Sequence, residues 1–225
     1  YMENNKASFQ VSYNEIIEKY AAFLQEMQYL GKEKQIGLLA ELLFLEELLK
    51  IDKKALKYWI DANEDFKVKS NYVEIKATRS KEHKHIISGL NQLTILPDTK
   101  KFLASYLVED HDSYKAPGTI NLYSQTKSLL KTIPTIDRPK FLKKLEDRKY
   151  FHKHNGVEYE EFNFKFNDPI YAEVNLSFPK LDNKSVPAKL HGNIPPGEVK
   201  YLLNLQNILH LFRPINKTKL KTDLF

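Results

Sequence analysis

Asp65-Phe66-Lys67-Val68-Lys69-Ser70-Asn71-Tyr72-Val73-Glu74-Ile75-Lys76-Ala77-Thr78 alternates apolar and polar residues on both sides of a short polar break. Phe66 and Val68 come before the break, and Val73, Ile75 and Ala77 follow it. A period of two is that of a strand with one face in a core, so the stretch predicts a hairpin turning through Lys69-Ser70. In that register Asp65 stands directly opposite Glu74. Tyr72, Glu74, Lys76 and Thr78 then share the face turned away from Val73, Ile75 and Ala77.

Two carboxylates facing each other across a sheet repel and weaken it. A divalent cation between them turns that liability into a binding site, and an oxygen-only donor set suits Mg2+ or Mn2+. The backbone carbonyl of Ile75 is a further oxygen within reach of such an ion. Lys76 lies on the same face as Glu74, where an ammonium can orient a water and stabilise charge building on a scissile phosphate. The bland alternative is a polar strand face on which Lys76 pairs with Glu74 or Asp65 at the surface.

Working outward, Gln35–Leu49 is apolar nearly all round and predicts a buried helix from about Glu33 to Lys50. Glu41 is the anomaly, because its helical neighbours are Gly37, Leu38, Phe44, Leu45 and Leu48. A carboxylate there is paired with a core-facing Lys or Arg, sits at the rim of a short buried stretch, or belongs to a site. Before it, Ser12-Tyr13-Asn14-Glu15 reads as a capping box, with a helix running to Leu30 and stopping at Gly31.

Downstream, Ser88–Leu96 is expected to form a short helix and Lys101–Val108 a strand. Ile120–Lys131 starts like a strand and continues like a helix. Pro134 and Pro139 bracket a connector ahead of a short basic helix over Phe141–Tyr150. Phe162, Phe164 and Phe166 alternate, Asn167-Asp168-Pro169 reads as a turn, and Ile170, Ala172, Val174 and Leu176 alternate again, which predicts a second hairpin. Val199–Leu205 predicts a last strand. The run Lys217, Lys219, Lys221 against Asp223 predicts a loosely held tail.

With 225 residues, 42% of them hydrophobic, the chain can build one sizeable core without staples. It has no cysteine, which excludes disulfides and thiolate chemistry and makes a reducing cytoplasm the expected location. The apolar run Leu38–Leu49 is broken by Glu41, Glu46 and Glu47, so no membrane span is expected. Tyr1–Gln10 is polar and does not read as a signal peptide. The formal net charge of +6 mildly favours a polyanion such as nucleic acid as partner. Arg79, Lys81 and Lys84 follow the proposed site closely enough to line one groove, although such basic runs are more often solvated faces. Lys67, Lys69, Lys143, Lys144, Arg148, Lys149 and Lys153 are further candidates for phosphate contacts, and Tyr150, Phe151 and Tyr159 for base stacking.

Asp65 followed by Glu74-Ile75-Lys76, in a hairpin after an acid-bearing helix, resembles the PD-(D/E)XK nuclease superfamily. More narrowly, Gly37–Leu49, Val73–Thr78, His85–Leu93 and Phe178–Leu181 resemble one bacterial family of uncharacterised proteins grouped with it. The likeness runs from about Ser12 to Ile208. A proline often precedes the first Asp in that superfamily, and Glu64 stands there in this chain. The resemblance implies an α/β restriction-endonuclease-like core: a mixed central sheet of about four to five strands flanked by helices. Residues 1–132 would hold the helical N-terminus and this core. Residues 133–225 would be a β-rich elaboration packed on it, in one compact domain.

By the same resemblance, Asp65, Glu74 and Ile75 hold Mg2+ or Mn2+, Lys76 positions water, and Glu41 assists as an accessory acid reaching the metal directly or through water. Gln92 contacts phosphate or water, or is an ordinary helix-surface amide. His85 is a phosphate contact or proton carrier, or lies in a plain solvated loop. The implied activity is hydrolysis of a phosphodiester bond in DNA, in a restriction or phage-defence setting. A homodimer or other defence subunits would be its partners. A non-catalytic DNA-binding or assembly subunit of the same fold is the rival, and RNA or branched DNA stays open as substrate.

Overall fold

A computed structural model describes residues 30–60, 64–90, 92–111, 116–150, 159, 162–167, 169–175, 177–180 and 199–225. The expected helix after Ser12 lies outside them, as do Phe151 and Lys153.

The first described helix, α1 (Lys32–Ile51), buries Ile36, Leu38, Leu39, Leu42, Phe44, Leu45, Leu48 and Leu49. These residues occupy most of its circumference, so it cannot lie at a surface with one wet face. It packs against β2 (Asn71–Thr78), α2 (Leu122–Thr132) and the C-terminal helix α4 (Lys217–Leu224). Helix α3 (Arg138–Asp147) carries its proline in the first turn, where no amide is lost.

The central sheet is six-stranded. Its main path runs β1 (Phe66–Val68), β2, β4 (Lys100–His111), β6 (Ile170–Val174) and β8 (Arg213–Pro214), and β5 (Asn163–Phe166) also pairs with β4. Strands β2 and β4 are parallel and the other pairs antiparallel, which makes the sheet mixed. This is the α/β class expected, with one strand more than the upper estimate. Two further strands, β3 (Lys84–Ser88) and β7 (Lys200–Asn204), form a separate antiparallel ribbon.

Strand β4 is buried on both faces, as a central strand must be. Phe102, Ala104, Tyr106 and Val108 join the helical core with Val73 and Ile75. On the other face, Leu103 packs with Ile87, Ala172, Val174, Leu203 and Leu205 under the ribbon. The sheet is therefore a middle layer, with helices on one side and the ribbon on the other.

Three expectations are corrected. Ser88–Leu96 is not a short helix: β3 runs to Ser88, Gly89 follows at φ 93°, and the described residues beyond it form turns. Apolar spacing over so short a run does not separate strand from helix. The alternating runs on either side of Asn167 do not pair with each other. Both lie along the same edge of β4, and between Phe166 and Ile170 the register slips by one residue. Asn167 donates to the Leu107 carbonyl at 2.9 Å, and Pro169 has no amide to offer, so the break is a bulge in one long path. Finally, the tail is docked. Asn216 caps α4 by accepting from the Lys219 amide, Leu220 and Leu224 are buried, and Asn71 donates to the Leu224 carbonyl at 3.1 Å.

Candidate active site

Asp65 stands one residue before β1. Phe66 faces Val73 and Val68 faces Asn71, with Lys69 at φ 56° in the turn, so the continuing register sets Asp65 opposite Glu74. Its carboxylate caps the strand by accepting from the Ile75 amide at 2.6 Å. Across the β2–β4 pairing, Tyr72, Glu74 and Lys76 align with Lys101, Leu103 and Ser105. One sheet face thus gathers two acids, two lysines and a serine beneath the ribbon.

Glu74 is the most constrained of them, at 3% exposure. Its Oε1 accepts from Lys76 Nζ at 2.7 Å and from Gln92 Nε2 at 2.6 Å. Its Oε2 is buried with no hydrogen-bond partner. Burial, reinforced by the charge of Asp65, pushes the Glu74 carboxyl up to about 8, against the pull of Lys76. Burial also raises Asp65, although the Ile75 amide and Lys76 oppose it.

Glu41 reaches the same field from α1. Its Oε2 accepts from the Trp59 indole at 2.6 Å and from Arg148 Nε at 3.2 Å. Burial first, and then Asp65, pushes it up to about 7 in spite of Arg148. A core-facing arginine thus pairs with Glu41, as one reading of it expects, and the charge of Asp65 acts on it as well.

The remaining expected residues separate. Gln92 touches Glu74, from a turn rather than a helix surface. His85 faces inward at 3% exposure, with Nε2 2.6 Å from Ser105 Oγ, so it does not lie in a plain solvated loop. His83 Nδ1 meets the same hydroxyl at 2.5 Å. Arg79 pairs with Asp110 and Glu33, and Lys84 with Glu82, at the surface. Sequence reasoning missed Trp59 and Lys101, and it placed Arg148 among phosphate contacts. The signal for Lys101 was a lysine opening the strand run Phe102–Val108; nothing local marked Arg148 as the partner of a residue over a hundred positions away.

Two carboxylates, one with an unpartnered buried oxygen, are hard donors that fit a divalent cation. Among the described residues no three His, Asp or Glu side chains form a ready-made ion cluster, so backbone and solvent oxygens would complete the shell.

A mixed sheet covered by helices on one face, with Asp65 set against Glu74-Ile75-Lys76, defines a protein of the PD-(D/E)XK type. The chain belongs to the family described as "Putative PD-(D/E)XK family member, (DUF4420)", which it matches over residues 2–205. No curated protein and no solved structure matches it. Membership makes the chain nuclease-like, and nucleases of this type generally use divalent metals. No helix among the described residues is long and apolar enough to cross a membrane.

Proposed function

We propose that this chain is a divalent-metal-dependent endonuclease acting on DNA, with a role in restriction or phage defence. The observation that carries the reading is the orphaned Oε2 of Glu74, buried beside Asp65 and next to Lys76. A buried carboxylate oxygen without a donor is costly; without metal a proton relieves that cost, and a divalent cation that displaces the proton would relieve it instead.

Asp65, Glu74 and the Ile75 carbonyl would hold Mg2+ or Mn2+, with Glu41 reaching it directly or through solvent. Bound there, the ion would supply a Lewis acid to the scissile phosphate. The Lys76 side chain, on the same strand face, would orient the attacking water and offset negative charge on the phosphate. Gln92 keeps Oε1 of Glu74 fixed, so the second oxygen stays free. Burial under the ribbon excludes bulk water and strengthens each of these interactions.

One observation favours the rival, a DNA-binding subunit without catalysis. Glu41 is already bonded to Trp59 and Arg148, and Oε1 of Glu74 to Lys76 and Gln92, so much of the site is internally satisfied. The two readings separate on incubation with supercoiled, linear, single-stranded and branched DNA and with RNA, in Mg2+, Mn2+ or EDTA. DNA cleavage is expected only with metal, and a loss of at least about 100-fold in both Glu74→Gln and Lys76→Ala. Cleavage by Lys76→Ala at the wild-type rate would overturn the mechanism. Salt-sensitive DNA binding with no cleavage under any condition would install the rival.

A further inference from the structure

Lys101 is 2% exposed, on the sheet face that bears Glu74. Its Nζ donates to Glu64 Oε1 at 2.9 Å and to the Gln92 carbonyl at 3.0 Å. Gln92 in turn is held at both ends of its side chain. Its Nε2 donates to Glu74 Oε1 at 2.6 Å, while its Oε1 accepts from the Ser88 amide at 3.0 Å. Burying an ammonium costs several kcal/mol unless it is paired, and an apolar residue at that strand position would serve the core as well or better. Stability therefore does not account for Lys101. What the lysine does is join the residue next to Asp65 to the residue that grips Glu74.

We infer that Lys101 is a positioning residue: through Glu64 it fixes the approach of Asp65, and through Gln92 it aims an amide at one oxygen of Glu74 and leaves the other free. Its role in a reaction rests on the reading above, but the linkage itself does not. An amide clamped between a carboxylate and a backbone N–H has one orientation, and only that orientation presents Oε2 to an ion. Removing Lys101 frees the Gln92 backbone, and with it the orientation of the side chain.

The test uses the full chain, labelled with 15N, with the Gln92 side-chain amide assigned by its disappearance in Gln92→Ala. Mn2+ binding is measured in parallel by water-proton relaxation. In Lys101→Met the Gln92 amide signals are expected to move toward the position of a free amide, and Mn2+ affinity to fall about 10-fold. Lys101→Met strands the Glu64 charge, so the double variant Glu64→Leu/Lys101→Met, which removes both charges, serves if the single one does not fold. A folded variant that keeps the wild-type Gln92 signals and Mn2+ affinity would overturn the inference. If the wild type bound no Mn2+ while Lys101→Met still released the Gln92 amide, the nuclease reading would fall and the Lys101–Gln92 linkage would stand.

Discussion

Strand β2 carries one charged cluster at its centre and another just past its C-terminal end. At the centre, Asp65, Glu74 and Lys76 share a closed space in which burial raises both carboxyls. Past the end, Arg79 meets Asp110 at 3.1 Å and also Glu33, while Lys32 reaches the same Asp110 at 2.8 Å. There burial is the largest single influence and pushes Asp110 upward, but the bonds and charges of Lys32 and Arg79 together outweigh it, holding the carboxyl below its ordinary value. Both places hold Asp, Glu and Lys, and the outer one adds Arg79. The exposed set has settled its charges by local pairing, as surface charges do at little gain. The buried set has not settled them, and Oε2 of Glu74 is the remainder. Charge density alone does not mark a site in this protein; burial without a partner does.

The sharpest way to break the contrast is to remove a cation from each cluster. Arg148 donates to Glu41 at 3.2 Å, to the Ile60 carbonyl at 2.9 Å and to the Lys144 carbonyl at 3.2 Å, and its guanidinium lies 4.1 Å from the Trp59 ring centre. Arg148→Ala takes the donor away from the Glu41 carboxyl and from two backbone carbonyls together, so a loss of about 3–5 kcal/mol is expected. Arg148→Lys should recover little, because an ammonium cannot stack on the indole while reaching three acceptors. The chain has one tryptophan, Trp59, so urea unfolding followed by its fluorescence reads the result at the site itself. A loss below about 1 kcal/mol would mean that Glu41 is as well solvated as the surface acids.

That arrangement also shows what was legible in advance. The hairpin register followed from a period of two and a polar break, because a slip of one residue would have turned Val73 and Ile75 out of the core. With the register came the juxtaposition of Asp65, Glu74 and Lys76. Helix α1 was equally plain, since nothing but burial suits so continuous an apolar run. The rest depends on contacts between distant segments. Nothing near Glu41 in the chain announces Arg148. Nothing in the lysines of Lys217–Leu224 announces that Leu220 and Leu224 dock against the α1 layer. The paired alternating runs about Asn167 suggested a hairpin, yet local pattern does not say which strand will supply the partner, and β4 supplied it for both.

A smaller effect should appear with pH, and it tests the same difference without a mutation. Glu74 and Glu41 hold their protons up to about 8 and about 7, against 4.5 in the unfolded chain. The stabilisation from these groups is therefore present at and below the unfolded value and is lost as pH rises through 7 and 8. His85 works the other way: burial, then His83 and Lys76, lower its ring to about 3 from 6.5, so its contribution is present above 6.5 and is lost as pH falls. In EDTA, stability should peak in the mildly acidic range and fall by about 2 kcal/mol between pH 6.5 and 8, at up to about 1.4 kcal/mol per pH unit for each proton. Saturating Mg2+ competes with those protons and should flatten the alkaline limb. Coincident urea-denaturation curves in EDTA and Mg2+ would show that the cation does not go to these carboxylates.

The smallest effect is expected at Arg79, and its smallness is informative. Arg79→Ala breaks two ion pairs at once, yet the side chain is 43% exposed, and pairs of this kind contribute about 0–1 kcal/mol. Even that difference should vanish in about 1 M salt, where the screening length falls to about 3 Å. Arg79 also lines an open groove of about 600 Å³ with Ser80, Lys81, Glu109, Asp110 and Asn167. Should DNA lie along this groove, the substitution would weaken binding modestly and reduce the salt dependence by about one phosphate contact. The rate of the chemical step would be untouched, because Arg79 shares no hydrogen bond with Glu74, Lys76 or Gln92. A large loss of stability at Arg79 would show that the outer cluster is not a solvated one. The two ends of β2 would then differ in degree and not in kind, and the case for Glu74 as the anomaly would lose its reference.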